Sequence, residues 1–325
     1  MYFGWYVLVG IGLVQIANTA AGSLNLSMFI VPMSDDLKIS RTIFSGAVSI
    51  GSVLAAISSM PFGYFFDLKK TRQILIFSVV TMGICTYAMS YVNEWILLYV
   101  LIAILRMFFT TPMMVGGSII TAKWFVLQRG RANGLLYAMH SIGMFAFPLL
   151  SGIFIVNYGW RSAWEYNGFF VILIALIPCL LLVYEEPSSF GIDMNNEEKT
   201  DNIPVNFSVS EALKTKALWI LAIGTGVLYF FHSGVNTHQA AFLLDRDIGI
   251  GLSSLAISIN ALSTGLGSFI WGLICDRINI KYAFSGVFVC SMIALLTLIY
   301  TFDIYFAILS SVFFGFAMGG MLTVP

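Results

Sequence analysis

Ten stretches of this chain are long, apolar and almost free of charge, and they leave few folds open to it. They run over residues 5–30, 42–66, 73–91, 95–121, 133–157, 163–184, 217–242, 253–275, 282–301 and 304–325. Hydrocarbon supplies no hydrogen-bonding partner, so a segment that enters it must satisfy its backbone internally. A helix of roughly 20 apolar residues does so and is long enough to cross. The pattern predicts an all-α polytopic membrane protein. Composition agrees, with 59% hydrophobic and 10% charged residues and a mean hydropathy of +0.90. Soluble domains typically carry about 25% charged residues, because their surfaces face water.

The formal net charge is zero, which argues against a nucleic-acid partner. The four cysteines, Cys85, Cys179, Cys275 and Cys290, lie inside apolar runs without CxxC spacing. They read as packing residues, not disulfides or metal ligands. Met1 is followed at once by an apolar run without a basic region or a small-residue cleavage site, so no cleavable leader is expected.

Connections between the runs are short except one. Residues 185–216 include EEPSSFGIDMNNEEKTDNIPVNFS, which is acidic, rich in Asn, Pro and Ser, and lacks apolar periodicity. They read as a linker between an N-terminal bundle of six helices, 1–184, and a C-terminal bundle, 217–325. Eleven Lys and Arg fall in loops on the side of this linker and four in loops on the other, with Arg106 inside a run. By the bias of basic loops toward the cytoplasm, the N-terminus and linker are expected there, and the membrane is expected to be the plasma (inner) membrane.

The two halves echo one another. GYFFD at 63–67 closes the second run ahead of LKKTR, and GLICD at 272–276 closes the eighth ahead of RINIK. Gly lets a neighbouring helix approach, while Asp can accept hydrogen bonds and pair with cations across an interface. The alternative is an ordinary helix end beside loop charges, which the repetition at matching positions disfavours. Gly63, Asp67, Arg72, Gly272, Asp276, Arg277 and Lys281 are therefore candidates for a gate.

With these residues in view the whole chain resembles the major facilitator superfamily, whose loop motifs lie between helices 2 and 3 and between 8 and 9. KWFVLQRGRANGL (123–135), Pro148, GWRSAW (159–164), EEPSSFGID (185–193) and HQAAFLLDRDIG (238–249) are similar to its branch of monocarboxylate transporters and oxalate:formate antiporters. The resemblance implies two pseudo-repeated six-helix bundles around a central cavity opened alternately to either side. Ten of twelve helices are recognised, and the tenth run ends at Pro325 without a polar flank, so the chain reads as stopping before the last two. Lys70 stands where the loop motif usually has Gly. Anion-carrying members of the branch tend to use an arginine in helix 8, and 253–275 holds no cation.

Polar residues at helical spacing mark candidate cavity walls. Gln15, Asn18, Gly22 and Asn25 share a face of the first helix; His232, Asn236 and Gln239 share one of the seventh; Asn260, Thr264, Gly267 and Trp271 share one of the eighth. Polar groups avoid lipid, so these faces turn inward. They either bind substrate or hydrogen-bond between helices. Ser45, Ser49, Ser52, Ala56 and Ser59 form a small-residue face, assigned to close helix packing.

Arg106 stands about eleven residues into the fourth run, and no Asp or Glu lies in the core of any run. A cation at that depth costs roughly 2.5–3.5 kcal/mol on insertion scales. It would suit a substrate carboxylate, for which the guanidinium fork is well shaped, or it would cap backbone carbonyls or meet a helix absent from this chain. His140 and His232 also lie within runs, and they read as neutral hydrogen-bonded groups or as proton-coupling sites.

The expected function is secondary transport of a small organic anion, such as a monocarboxylate, with the lipid bilayer as surroundings and a monomer as the working unit. No nucleotide-binding motif, metal cluster, nucleophile triad or paired carboxylate is visible, so neither a cofactor nor an enzyme activity is expected. The alternatives are a carrier or exporter of a neutral or amphiphilic compound, and a transport-dead membrane sensor.

Overall fold

The computed structural model describes residues 3–68, 70–125, 129–185, 213–275, 278 and 280–323. Their regular structure is helical throughout. The first span is broken in its middle. Helix α1, Gly4–Asn18, passes into a 3-10 turn at Thr19–Ala21, Gly22 is extended with φ −68° and ψ 151°, and α2 restarts over Ser23–Leu37. Lys38, in the left-handed region at φ 54°, ends it. The span therefore continues seven residues past the predicted end at 30, because apolarity ends where the hydrocarbon does while the helix continues through the polar MSDDL.

The second span is α3, Arg41–Asp67, started by Ser40, whose hydroxyl accepts the N–H of Ile43 at 3.3 Å. The third is α4, Thr71–Ala88. The fourth is α5, Trp95–Phe108, then a wide π-helical stretch over Phe109–Val115, then α6, Gly116–Trp124. Pro112 lies in that stretch. Proline lacks an N–H and crowds the preceding turn, which accounts for the loosened hydrogen bonding.

Helix α7, Arg129–Val171, carries the fifth span and the start of the sixth, which continues through Ile172–Leu176 and α8, Ile177–Leu182. Gly159, at φ 84°, turns the chain between them. Only glycine takes that conformation at little cost. The apolar stretch Ala132–Leu182 has 51 residues and would measure about 77 Å if straight, more than twice the hydrocarbon thickness. Counted as two crossings, it brings the nine long apolar helices among the described residues to the ten predicted. The remainder are α9, Lys216–Leu244, α10, Ile250–Cys275, α11, Ile280–Ile299, and α12, Ile304–Thr323. Most of the predicted linker, 186–212, lies outside the described residues.

Alternate crossings sort the helix ends into two sets, a Glu185 end and an Asp36 end. The largest core unites the first six spans and takes in Ala240, Ala241, Ile257 and Ala261 from the seventh and eighth. All four lie toward the Asp36 end. Toward the Glu185 end, Leu228, Trp271, Ala283, Val287, Ala317 and Met321 form a separate cluster made by the last four spans alone. The first six spans and the last four thus share a core toward the Asp36 end, while toward the Glu185 end the last four hold a cluster of their own.

Candidate functional site

Arg106 sits on the last turn of α5, 8% exposed. Its stem lies over Gly51 of the second span, where a Cβ would meet Arg106 Cγ at 3.0 Å. Glycine at that position makes room for the side chain. The guanidinium donates from Nη1 to Ser23 Oγ at 3.3 Å and from Nη2 to Ser52 Oγ at 3.2 Å, and it lies 5.2 Å from the centroid of Phe109. Its Nε has no partner, and no carboxylate pairs with it among the described residues. Three spans meet here: the first at its break, the second and the fourth.

Ser52 belongs to the face assigned to packing, and the structure corrects that reading. Ser49, Ala56 and Ser59 are exposed, while Ser45 and Ser52 are half-buried. The close approach to the fourth span is made by Gly46 against Tyr99 and by Gly51 against Ala103 and Arg106. Helical spacing identified the face, but not which neighbour it would meet.

The polar stripe of the first helix is divided by the break. Gln15 donates to the carbonyls of Met113 at 2.9 Å and Met114 at 3.3 Å, and Asn18 to that of Phe109 at 3.2 Å. Both amides thus brace the π-helical stretch of the fourth span. Asn25 turns elsewhere. Its Nδ2 donates to Ala20 O at 2.8 Å, and its Oδ1 accepts from Ser151 Oγ at 2.8 Å, which in turn accepts from Asn167 Nδ2 at 2.8 Å. This buried chain ties the break to the fifth and sixth spans. Sequence reasoning missed Ser151 and Asn167, whose only signal was a polar residue within an apolar run.

In the last four spans the two predicted stripes meet. Asn260 Nδ2 donates to Asn236 Oδ1 at 3.3 Å and Gln239 Oε1 at 3.2 Å; Gln239 Nε2 donates to Ser311 Oγ at 2.8 Å; and Thr264 donates to Asn260 O at 2.9 Å. His232 lies apart from this network, its Nδ1 3.0 Å from Leu228 O and its ring 5.1 Å from that of Phe314 on the tenth span. His140 is half-buried, with its ring 6.4 Å from Phe109 and its Nδ1 unpartnered.

The candidate gate is described in part. Arg72 donates to Leu180 O at 2.8 Å and stacks on Tyr184 at 4.8 Å, contacts within the first six spans. A Cβ at Gly63 would meet nothing within 4 Å, so the close approach expected there is not made by any described residue. Gly272 lies in the last turn of α10 and Lys281 in the first turn of α11, exposed. The side chain of Asp67, and Asp276 and Arg277, lie outside the described residues.

At the Asp36 end, Arg41 makes a two-pronged ion pair with Asp245, one arm at 2.8 Å, and Ser45 Oγ lies 3.3 Å from His238 Nε2. Asp36 pairs with Arg161 and accepts from Trp160 at 3.2 Å, and Arg161 also reaches Asn93 at 3.1 Å. At the Glu185 end, Glu185 accepts from Lys123 and from the N–H of Thr71, each at 3.2 Å.

The family model of the Major Facilitator Superfamily matches residues 11–325. The chain belongs to the major facilitator superfamily. Within this superfamily it is 25% identical over 288 residues to the oxalate:formate antiporter of Oxalobacter formigenes, covering 87% of this chain and 66% of that protein. It is 23% identical over 300 residues to the hexose-6-phosphate:phosphate antiporter of Escherichia coli (strain K12), covering 80% of this chain and 60% of that protein. The chain thus spans somewhat less than two thirds of the length of these curated relatives. Among solved structures, a bacterial homolog of the human lysosomal transporter Spinster, inward-facing and unoccupied, superposes with a TM-score of 0.78 at 17% identity over 99% of this chain and 74% of that one. The long apolar helices mark this superfamily member as an integral membrane protein.

Proposed function

We propose that this transporter carries a small organic anion of the carboxylate class, with the Glu185 end in the cytoplasm and Arg106 as its anion contact. The observation that carries the reading is a nearly buried guanidinium whose partners are two neutral serines. A buried charge is retained where something compensates it; no carboxylate among the described residues does so, and a substrate anion would. The named substrates of two relatives, oxalate with formate and hexose 6-phosphate with phosphate, are anions and support the class. The last four spans then form the body that moves against the first six, and the joined Asp36 end corresponds to access from the Glu185 end.

Uptake of formate, lactate and oxalate into proteoliposomes, with and without a pH gradient, tests the class and its coupling. Arg106→Gln tests the site. The loss of a charge-assisted hydrogen bond costs about 1.5–3 kcal/mol, or roughly ten- to hundredfold in affinity. Arg106→Lys should rescue poorly, because a point charge cannot make a two-pronged contact. Unchanged affinity in well-folded Arg106→Gln protein would remove Arg106 as the anion contact.

A further inference from the structure

The break in the first span places a helix start in the middle of the bundle. Helix α2 has 15 residues, and its capping residue is Gly22, which has no side chain to satisfy the first N–H groups. The other side of the break is satisfied: the carbonyl of Ala20 accepts from Asn25 Nδ2 at 2.8 Å, and that of Thr19 accepts from the Gly22 N–H at 2.9 Å. The negative end of the preceding helix is therefore occupied, while the positive start of α2 has no side-chain cap. A helix start carries partial positive charge and suits anions. A cation stands close to it, since Arg106 Nη1 lies 3.3 Å from the hydroxyl of Ser23, the first residue of α2. Two positive features thus lie beside the same serine, and the Arg106 Nε has no partner. Arg106 is 8% exposed, whereas Gly22 and Ser23 are half-buried and so within reach of a ligand.

We propose that the start of α2 and Arg106 form the two jaws of one carboxylate subsite. One oxygen of the anion accepts from the guanidinium, and the other accepts from the N–H groups of Ser23 and Leu24. This deepens the proposed function and rests on Arg106 contacting the substrate. The break in the first span is then a binding feature: a continuous helix would spend these N–H groups on the preceding turn.

The test uses purified full protein, thermal unfolding and binding of radiolabelled formate, lactate and oxalate, with Ser23→Asp, Ser23→Pro, Ser23→Ala and Arg106→Gln. In Ser23→Asp the new carboxylate occupies the subsite. The protein should unfold at a higher temperature without ligand and bind the best of the three anions at least about tenfold more weakly. Ser23→Pro removes one N–H at a position where proline suits a first helical turn after an extended Gly22. It should weaken binding several-fold beyond Ser23→Ala. If Arg106→Gln loses affinity while Ser23→Asp binds as wild type, the helix start has no part in the site and the proposed function survives. Should Ser23→Pro fail to fold, Ser23→Asp decides by the same comparison. If Arg106→Gln binds normally, or none of the three anions binds the wild type, both readings fall together.

Discussion

Arg41, at the start of the second span, holds Asp245, just beyond the seventh, through both arms of its guanidinium. The ion pairs Asp36–Arg161 and Lys123–Glu185 lie within the first six spans, whereas this one joins them to the last four. Opening of the Asp36 end must break it. The side chains are 40% and 55% exposed, and exposed pairs are worth about 0.2–1 kcal/mol. Asp245→Asn should therefore raise the population open at this end by up to about fivefold. A cysteine at Ser45, beside His238, should react correspondingly faster with a maleimide, and unchanged reactivity would rule out a latch.

The same pair sets a pH dependence. The hydrogen bond from Arg41 holds the Asp245 carboxyl below the usual carboxylate range. Its stabilising contribution is thus complete above the unfolded value of about 3.9 and is lost as pH falls through the lower folded value. The difference in unfolding temperature between wild type and Asp245→Asn should be constant near neutrality and vanish in strong acid. A difference that grew as pH fell would contradict this sign.

Gln15 and Asn18 donate to carbonyls of the fourth span. Replacing Gln15 with Leu leaves the carbonyls of Met113 and Met114 without that donor, at a cost of about 1–3 kcal/mol. Thermal unfolding should show the loss while anion affinity in the folded fraction changes little. The opposite pattern would assign Gln15 to the substrate site.

Ser151 stands between Asn25 and Asn167, donating to one and accepting from the other. Ser151→Ala strands both, and buried unpaired amides cost about 1–3 kcal/mol each. The double variant Asn25→Leu with Ser151→Ala should be less destabilised than the two single changes predict together, because no half-made bond remains between those two positions. Additive losses would show that the chain does not act as a unit.

The cytoplasmic placement of the linker rests on loop charge. A single cysteine at Ser189 should react with an impermeant maleimide only when the cytoplasmic face is exposed. Labelling from outside intact cells would reverse the assignment.

Ten crossings, the family and the isolation of Arg106 were legible in the chain because each depends on one-dimensional facts: run length, repeated motifs and the absence of carboxylates from the runs. A break between the fifth and sixth crossings was legible for the same reason, since the full-length runs 133–157 and 163–184 flank it, although the turn at Gly159 itself was not singled out. Which side chain answers which was not legible. Gln15, Asn18 and Asn25 fall on one face of an ideal helix, yet the break at Thr19–Gly22 sends Gln15 and Asn18 to the fourth span and Asn25 to the fifth and sixth. Ser52 joined Arg106, and Ser311 joined Gln239, through contacts between residues 54 and 72 positions apart. Helical periodicity encodes the direction of a side chain only while the helix is continuous, and in a bundle the partner is chosen by how neighbouring spans cross. Composition determined that this chain lives in a bilayer; tertiary packing decided that its buried arginine meets an uncapped helix start.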